Sequence, residues 1–424
     1  MELEFRGGAG EVGRSALVID GTLVVDFGMD SGNPPSFPVG DVDPEAVVVS
    51  HGHLDHVGSL PSLLAGDARP EIHWTPPTRD LAMVLARDTL KLHGVSSNGP
   101  TRRGGSYDCP FTEAELARVS QVSETHGYRE IFEVAGYEVT FFDAGHIVGS
   151  AHVLVDDGDT RLLYTGDLQT EDQQLVAGTT ARPDADVVVC ESTYSDTSRP
   201  PRESIETSLV ESIERTVWDG GTVVVPAFAI GRTQELLCLC ERHDLECYVD
   251  GMGKRVTELF LRDRNREFLR DPDLLRRAKG NARFVTGRDG QRKRIAEQNT
   301  VIVTTSGMLH GGPAMTYVPA VRDHPTNKIT LTGYQVEGTP GRDLLETGSA
   351  EIDGRMMPVS AQTEAYDLSA HADRDGLRSF LESYRETEIL AVHGDRCGAF
   401  AAELADDGFD ASAPSVGETW TSAD

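Results

Sequence analysis

The fold of this chain is decided by the stretch Ala46-Val47-Val48-Val49-Ser50-His51-Gly52-His53-Leu54-Asp55-His56. An apolar run typical of a buried strand leads directly into three histidines and one aspartate. In an extended loop, His51 and His53 project to the same side, so both can bind one metal ion. Asp55 and His56 follow closely enough to turn towards a second ion. The stretch therefore predicts half of a dinuclear metal site, and the alternative is a polar loop that happens to be rich in histidine.

Length and composition limit the class of protein. A chain of 424 residues predicts two or three domains, or one domain with a large insertion. The hydrophobic content of 38% and the 43 glycines fit a compact α/β protein. No apolar stretch is long enough to cross a bilayer, and the first residues do not form a signal peptide, so we expect a cytoplasmic protein without a membrane partner. The six cysteines lack a C-x₂-C pair, which favours reduced thiols.

The charge of the chain is strongly acidic. The formal net charge is −30, and most of its 39 basic residues are arginine. This balance is typical of a halophilic protein, whose carboxylates hold water and cations in concentrated salt, while an acidic protein that binds basic partners is the alternative. Acidic charge argues against nucleic-acid binding, but the Debye length at molar salt is only about 3 Å, so local contacts decide.

Strand and helix patterns divide the chain into two domains. Short apolar strands with helices outside them recur up to Cys190 and again near the C-terminus, which predicts a layered αββα sandwich. From about Ser195 a strand–helix–strand series predicts a smaller, parallel α/β domain. We therefore predict that residues 1–194 form the first part of the sandwich, 195–350 an inserted domain, and 351–424, beginning with a strand at Arg355–Ser360, the remainder of the sandwich.

Three further candidate ligands share one setting, the end of an apolar strand. His146 follows Phe141-Phe142-Asp143, Asp167 follows Leu162-Leu163-Tyr164, and His393 ends Ile389-Leu390-Ala391-Val392. Taken singly, such a residue is more often an ordinary polar residue of a turn. Their order after the histidine-rich stretch makes them a set, and imidazoles with carboxylates suit Zn²⁺, with Mn²⁺ as the alternative.

With these ligands in this order, the sequence resembles the metallo-β-lactamase superfamily. The resemblance implies two Zn²⁺ per chain, one held by His51, His53 and His146, the other held by Asp55, His56 and His393, with Asp167 as the bridge. It also implies that Asp26, at the end of its strand, orients the histidine loop, whereas the alternative role for Asp26 is that of a turn residue.

Motifs on either side of the insertion resemble the β-CASP nucleases. They are Cys190-Glu191-Ser192-Thr193-Tyr194, Ser369-Ala370-His371-Ala372-Asp373 and Val392-His393-Gly394, and further matches within the insertion are the runs 226–232, 306–309 and 333–339. Members with histidine at the third motif act on RNA, so the resemblance implies a ribonuclease. Within the family the chain is most similar to archaeal homologues of the cleavage and polyadenylation specificity factor nuclease, of the short type without KH domains, with ribonuclease J as a close relative.

The resemblance also implies a mechanism. A hydroxide bridging the two metals would attack the RNA phosphodiester in line and leave a 5′-phosphate and a 3′-hydroxyl. His371 would protonate or hydrogen-bond the leaving 3′-oxygen, and Glu191 would hold the imidazole of His371 in place. Asp55 would act mainly as a ligand and could also move a proton.

RNA contacts are predicted in the insertion. Residues 254–294 hold 14 Lys or Arg against 6 Asp or Glu, a local excess of positive charge that suits phosphate binding. Arg262, Arg266 and Arg270 represent this strip, although the alternative is a solvated helix face. Ser306 and Ser369 are further candidates for contacts with phosphate.

Several alternatives stay open at this stage. Cleavage can be internal, or can proceed 5′→3′ as in ribonuclease J, because both modes share these motifs. A thioesterase or lactamase would need neither the insertion nor His371, and a catalytically weak RNA-binding scaffold would be expected to lack ligands. The pathway can be mRNA 3′-end processing or RNA turnover. A homodimer and partners from an RNA-processing or exosome-type complex are compatible with the resemblance.

Overall fold

The chain forms two compact units. The computed structural model describes residues 1–32, 34–93, 95–96, 99–100, 109–287 and 290–422. The first unit comprises Met1–Glu171, Gly178–Ser198 and His371–Asp424, and the second comprises Asp172–Ala177 and Arg199–Ala370.

The second unit extends further than the predicted insertion, which ends at residue 350. The strand Gln362–Ala365 pairs with Lys328–Leu331 in the sheet of the second unit, so the chain stays there until Ala370. Arg355–Pro358, predicted to begin the return to the sandwich, instead pairs with Ser349–Ile352 in a hairpin of the second unit.

Within the described residues, seven strands form the first sheet of the first unit. They are β1 (Glu2–Gly7), β2 (Ala16–Ile19), β3 (Leu23–Val25), β4 (Ala46–Val48), β5 (Glu71–Trp74), β8 (Ser123–Thr125) and β24 (Thr419–Thr421). Their order is β24-β1-β2-β3-β4-β5-β8, and the run from β3 to β8 is parallel. The histidine loop leaves the carboxyl end of β4, in the middle of this parallel run. A separate hairpin joins β6 (Val95–Ser96) to β7 (Gly99–Pro100).

The second sheet of this unit also has seven strands in the described part of the chain. They are β9 (Ile131–Val134), β10 (Tyr137–Asp143), β11 (Ala151–Asp156), β12 (Arg161–Tyr164), β13 (Val187–Glu191), β22 (Glu388–Val392) and β23 (Ala411–Ser412). The order is β23-β22-β13-β12-β11-β10-β9, with β12, β13 and β22 parallel. The residues that follow these three parallel strands therefore meet at one edge of the sheet.

Alternating side chains build four layers. Val48 and Val189 lie in the core between the two sheets. Val47 packs in a second cluster with Met83 of helix Pro76–His93, and Val188 packs in a third cluster with Phe380 of helix Arg374–Leu381. The helices on the outside are α1 (Leu54–Val57), α2 (Pro76–His93), α3 (Glu113–Val119), α11 (Arg374–Leu381), α12 (Cys397–Asp406) and the 3₁₀ helices Leu60–Leu64 and Glu382–Tyr384. The predicted αββα sandwich is confirmed, because central strands such as β4 and β13 bury both faces, one against the other sheet and one against helices.

The second unit is a parallel α/β domain, as predicted. Its strands are β14 (Val223–Pro226), β15 (Cys247–Asp250), β16 (Arg283–Phe284), β17 (Val301–Thr304), β18 (Lys328–Leu331) and β21 (Gln362–Ala365), and the hairpin noted above is β19–β20. All pairs in the order β16-β15-β17-β14-β18-β21 are parallel. The helices are α4 (Arg202–Trp218), α5 (Arg232–Arg242), α6 (Gly253–Phe260), α7 (Pro272–Asn281), α8 (Gln291–Ala296), α9 (Ala314–Val321), α10 (Pro340–Thr347) and the 3₁₀ helix Asp263–Phe268.

The histidine loop runs into two short helical pieces rather than one continuous helix. The helical turn α1 already begins at Leu54 and includes His56, and a 3₁₀ helix then covers Leu60–Leu64. Pro61 lies at the start of the second piece, where its missing N–H is tolerated but would break a continuous helix. All six cysteines are free. Nowhere in the described ranges does a helix reach the length and apolarity that crossing a bilayer requires.

Candidate metal centre

Three histidines in the first unit converge on one point. Nδ1 of His53 lies 3.2 Å from Nε2 of His51 and 3.0 Å from Nε2 of His146. The planes of the three rings lie at 80–84° to one another, so the rings are not stacked and their nitrogens point towards a common centre. One oxygen of Asp167, Oδ2, completes the group at 3.4 Å from His51 and 3.6 Å from His146.

A second group lies on the other side of Asp167. Nε2 of His393 lies 3.3 Å from Nε2 of His56 and 3.2 Å from Oδ2 of Asp55. The other oxygen of Asp167, Oδ1, lies 3.4 Å from Nε2 of His56. Asp167 thus turns one carboxylate oxygen to each group, which is the geometry of a bridging ligand. All seven residues predicted as metal ligands are brought together.

The donor set fits a cation. Oδ1 of Asp167 is buried and accepts no hydrogen bond from the described residues, although a buried carboxylate oxygen normally does. Burial lowers the pKa of His53 to about 4 and that of His51 well below its ordinary value, so both imidazoles are neutral and offer a lone pair. Neutral imidazoles and carboxylates at these spacings are the ligands that Zn²⁺ prefers.

The second group starts from a different protonation state. Burial lowers the pKa of His56, but the carboxylates of Asp167 and Asp26 outweigh it and raise the pKa well above the ordinary value. His56 would therefore have to release a proton in order to hold a metal ion, because a ligating imidazole must offer a lone pair.

A glycine lets the two sheets approach at the centre. Gly166, between β12 and Asp167, has a φ of 53°, and a Cβ built on it would lie 2.8 Å from Cβ of Ser50, which follows β4. A side chain here would push the Asp167 turn away from the histidine loop. The glycine therefore sets the spacing between ligands that come from different sheets.

Asp26 orients the histidine loop at two points. Its Oδ2 lies 2.6 Å from Nδ1 of His56, and its Oδ1 accepts the Ser50 amide at 2.7 Å. Because Nδ1 of His56 is held in this way, Nε2 is the nitrogen that faces the second group. The predicted role of Asp26 as an orienting residue agrees with these contacts.

His371 and Glu191 form a pair beside the first group. Nδ1 of His371 lies 3.1 Å from both oxygens of Glu191, and Nε2 lies 3.8 Å from Oδ2 of Asp167. Glu191 is fixed in turn by the amide of Leu168 at 2.7 Å. Burial lowers the pKa of His371, but the carboxylates of Glu191 and Asp167 outweigh it and raise the pKa to about 9.

One residue of the centre, Thr193, was not predicted from the sequence. Its hydroxyl lies 3.0 Å from Nδ1 of His393 and 2.9 Å from the carbonyl oxygen of the same residue. His393 has a φ of 49°, a left-handed conformation that is strained for a residue with a side chain. A single hydroxyl thus contacts both the ring and the strained backbone of His393. Thr193 follows Glu191 in the motif 190–194, but a hydroxyl at that position carried no signal of its own.

The predicted RNA contacts lie in the second unit and have local partners. Arg270 pairs with Asp172 at 2.9 Å, and Arg266 pairs with Asp273 at 3.6 Å. Ser306 accepts the amide of His310 at 2.8 Å. Arg262 precedes the 3₁₀ helix 263–268 that contains Arg266, while Arg270 lies beyond it, so the three arginines do not share one long helix face. Ser369 is buried, and its carbonyl accepts a hydrogen bond from Arg202.

Another pair of histidines has different geometry. Nδ1 of His73 lies 3.0 Å from Nε2 of His126, and Glu124 lies nearby. The rings are within 19° of coplanar and their centres are 5.2 Å apart, so the two nitrogens lie almost on the line between the centres. Lone pairs that point straight at each other over this distance suit a shared proton better than a tetrahedral metal ion.

Comparison with known proteins identifies the family. The metallo-β-lactamase superfamily matches residues 9–227, the β-CASP domain matches 233–344, and a Zn-dependent metallo-hydrolase RNA specificity domain matches 356–414. "RNase aCSPSF2" of Saccharolobus solfataricus is 34% identical over 92% of this chain and 79% of that protein. "Probable RNase MJ4" of Methanocaldococcus jannaschii is 30% identical over 99% of both chains.

A solved structure shares the fold. The crystal structure of a protein of unknown function from Enterococcus faecalis V583 aligns with a TM-score of 0.59 over 99% of each chain, at 12% identity. This likeness concerns the fold alone.

The fold and the paired ligand groups define a metal-dependent hydrolase of the ribonuclease class. The chain belongs to the metallo-β-lactamase superfamily and, within it, to the β-CASP branch. The family resemblance found in the sequence is thereby confirmed.

Proposed function

We propose that this chain is a zinc-dependent ribonuclease that hydrolyses phosphodiester bonds of RNA and leaves a 5′-phosphate and a 3′-hydroxyl. We assign it to mRNA 3′-end processing or RNA turnover. The observation that carries the proposal is that two groups of ligands share Asp167 and lie beside the His371–Glu191 pair. An RNA specificity domain matched at 356–414 supports RNA as the substrate.

Seven residues would hold two Zn²⁺ per chain. His51, His53 and His146 would hold one ion, Asp55, His56 and His393 the other, with Asp167 between them. Bound Zn²⁺ would act as a Lewis acid on the phosphate. It would also lower the pKa of bound water, so that hydroxide is available near neutral pH. Mn²⁺ is the alternative ion, because it accepts the same nitrogen and oxygen ligands.

His371 would serve the leaving group. Glu191 accepts a hydrogen bond from Nδ1–H of His371, and Nε2 is therefore turned towards Asp167 and the ligand groups. A proton on Nε2 can be donated to the 3′-oxygen as its bond to phosphorus breaks. Glu191 would act as a positioning residue, because it fixes the ring of His371 without reaching the substrate. Asp55, a proposed ligand, could also move a proton, since its side chain is partly exposed.

The proposal is tested with RNA labelled at its 5′ end, incubated with purified protein, Zn²⁺ and molar KCl. Labelled fragments of intermediate length that are lost in His371→Ala would support an endonuclease of the cleavage-factor type. Labelled mononucleotide from the start would indicate the alternative, a 5′→3′ exonuclease of the ribonuclease J type. No cleavage by protein that retains zinc would refute the ribonuclease.

A metal count separates the enzyme from the second candidate, an RNA-binding scaffold. The enzyme is expected to retain about two zinc ions per chain, whereas a scaffold would retain few. The full set of ligands favours the enzyme. A homodimer, partners from an RNA-processing or exosome-type complex, and a cytoplasmic location remain predictions.

A further inference from the structure

Three loops of the second unit meet at one edge of its sheet. They follow β14, β17 and β18, which are parallel neighbours, so their carboxyl ends lie side by side. The direction in which successive strands are added to the sheet changes at β14. The chain forms β15 and β17 on one side of β14 and then β18 on the other side. In open parallel sheets, ligands bind at the carboxyl edge beside such a reversal.

These loops expose apolar side chains that a folded protein normally covers. Phe228, on the loop after β14, is 43% exposed, and Tyr334 and Val336, after β18, are 56% and 45% exposed. Each lies close to the end of its strand. Exposed apolar side chains that are grouped on neighbouring loops, rather than scattered singly, mark a candidate binding surface.

Two glycines leave the ring of Phe228 open. A Cβ built on Gly307 would lie 3.4 Å from Cδ2 of Phe228, and one built on Gly333 would lie 3.8 Å from Cε2. Any side chain at these two positions would therefore lie against the ring. Glycine at both positions therefore keeps space beside the ring of Phe228 free for a ligand.

The backbone under the exposed rings is fixed. The side-chain amide of Gln335, which is almost fully buried, contacts the carbonyl oxygens of Gly307, Gly333 and Tyr334 at 3.0–3.3 Å. The amide and the hydroxyl of Thr233 lie 3.1 and 2.7 Å from the carbonyl oxygen of Phe228. A ligand would therefore meet aromatic groups on an ordered backbone, which reduces the entropic cost of binding.

The charge at this edge is compatible with a nucleic acid. Four helices of the unit, α5, α6, α9 and α10, each follow a strand of the sheet, so their N-termini, which favour anions, lie at the carboxyl edge. Lys254 and Arg255, in the first turn of α6, are exposed at the same edge. Exposed aromatic rings beside positive charge suit the bases and the phosphates of a single strand.

We propose that Phe228 and Tyr334 form a stacking platform for unpaired bases of single-stranded RNA. The proposal rests on the ribonuclease function and names the part of the substrate that this surface binds. Stacking on aromatic rings tolerates every base, so the platform holds a single strand without reading its sequence.

The test measures binding of a short, fluorescein-labelled oligouridylate by anisotropy. The full chain is loaded with zinc and carries His371→Ala, so that the RNA stays intact. Phe228→Ala and Tyr334→Ala are each expected to weaken binding by about tenfold. The dependence of affinity on salt should stay the same, because no phosphate contact is lost.

Matched variants separate stacking from general damage. Trp218→Ala removes another exposed aromatic side chain of the same unit. Trp218 is 89% exposed at the end of α4, and the chain continues from there into the amino end of β14. It should leave affinity unchanged. Phe228→Tyr should preserve affinity, whereas Phe228→Leu should weaken it about as much as Phe228→Ala does, because only tyrosine retains an aromatic face.

An oligonucleotide with abasic ribose in place of uridine gives the decisive comparison. The parent should bind it weakly, and the platform variants should weaken that binding no further. Platform variants that bind oligouridylate as tightly as the Trp218→Ala variant would overturn the inference and favour a protein partner for this patch. If the parent itself bound no RNA, the ribonuclease proposal would fall as well, so the two failures are distinguishable.

Discussion

Replacing Thr193 by valine should weaken one metal position and spare the other. Valine has the shape of threonine but lacks the hydroxyl, which is close to both Nδ1 and the carbonyl oxygen of His393. If Nε2 of His393 is to bind a metal, the ring proton must sit on Nδ1, and the hydroxyl of Thr193 accepts it. The hydroxyl can then donate its own proton to the carbonyl oxygen, so both hydrogen bonds are satisfied at once.

The size of the effect follows from what the valine leaves behind. Nδ1–H of His393 would be buried without the Thr193 hydroxyl, and Oδ1 of Asp167, 3.3 Å away, is the oxygen turned towards the second metal position. An unsatisfied buried donor costs about 1–3 kcal/mol. Loss of an orienting partner of this kind lowers metal affinity by about 10–100-fold. We expect that loss at the group of Asp55, His56 and His393.

The assay titrates zinc-loaded protein with a chelator and follows the zinc that each chain retains. The native chain should lose both ions over a narrow range of chelator concentration. The Thr193→Val variant should lose one ion at a chelator concentration about 10–100-fold lower than the other. Thr193→Ser should restore native behaviour. In protein that holds Co²⁺ in place of zinc, the absorption spectrum gives an independent measurement. In the Thr193→Val variant, the half of the absorption that comes from the affected ion should change.

A control variant guards against general destabilisation. Thr179 is also a buried threonine whose hydroxyl contacts a histidine, Nε2 of His152 at 3.1 Å, and that histidine is not a proposed ligand. Thr179→Val should lower the free energy of unfolding without separating the two zinc ions. Equal weakening of both ions in the Thr193→Val variant, or no weakening, would refute the role of Thr193.

Four further outcomes follow from the structure. Glu191→Gln should lower single-turnover cleavage about 100-fold with zinc content unchanged, because only the orientation of His371 is affected; loss of zinc would contradict this. Asp167→Asn should reduce retained zinc below two per chain, measured by elemental analysis, because a carboxamide cannot bridge with two anionic oxygens. Burial lowers the pKa of His152 to about 4, against 6.5 for the exposed group. The unfolded chain therefore binds the extra proton first, so stability present above pH 6.5 should fall by up to about 3 kcal/mol towards pH 4, and urea unfolding of His152→Asn should show a shallower pH dependence. The free energy of unfolding should rise with KCl, because salt screens the repulsion within a chain of charge −30, and a flat dependence would speak against a halophilic protein.

The ligand set was predictable because its residues follow strands. His51, His146, Asp167 and His393 each come just after a short apolar run, and that pattern is local in sequence. The carboxyl ends of β10, β12 and β22 lie at one edge of the second sheet, because β10 and β12 are both antiparallel to β11 and because β12, β13 and β22 are parallel. For these residues, chain order and strand pattern contain almost all of the necessary information.

Other features depend on contacts that a local pattern does not encode. The hydroxyl of Thr193 meets a residue 200 positions away, and any small polar residue at that position would look the same in the sequence. The end of the insertion was misplaced because Arg355–Pro358 reads as a strand in either unit, and its pairing with Ser349–Ile352 decides between them. Exposure of Phe228 was equally hidden, since an aromatic residue after a strand is usually buried.

The strand register of the first unit is continuous across the insertion. The chain leaves the first unit just after β13 and returns just before α11, while β13 and β22 stay paired in register from Val187 with Glu388 to Glu191 with Val392. That register alone sets Glu191 and Thr193 beside His393, and His371 follows at the point of return. The inserted domain can therefore vary in sequence without disturbing the ligands, provided that its two ends stay close together. The ligands and the His371–Glu191 pair are thus positioned by strand pairs of the first unit, whereas the proposed RNA platform of Phe228 and Tyr334 belongs to the second unit.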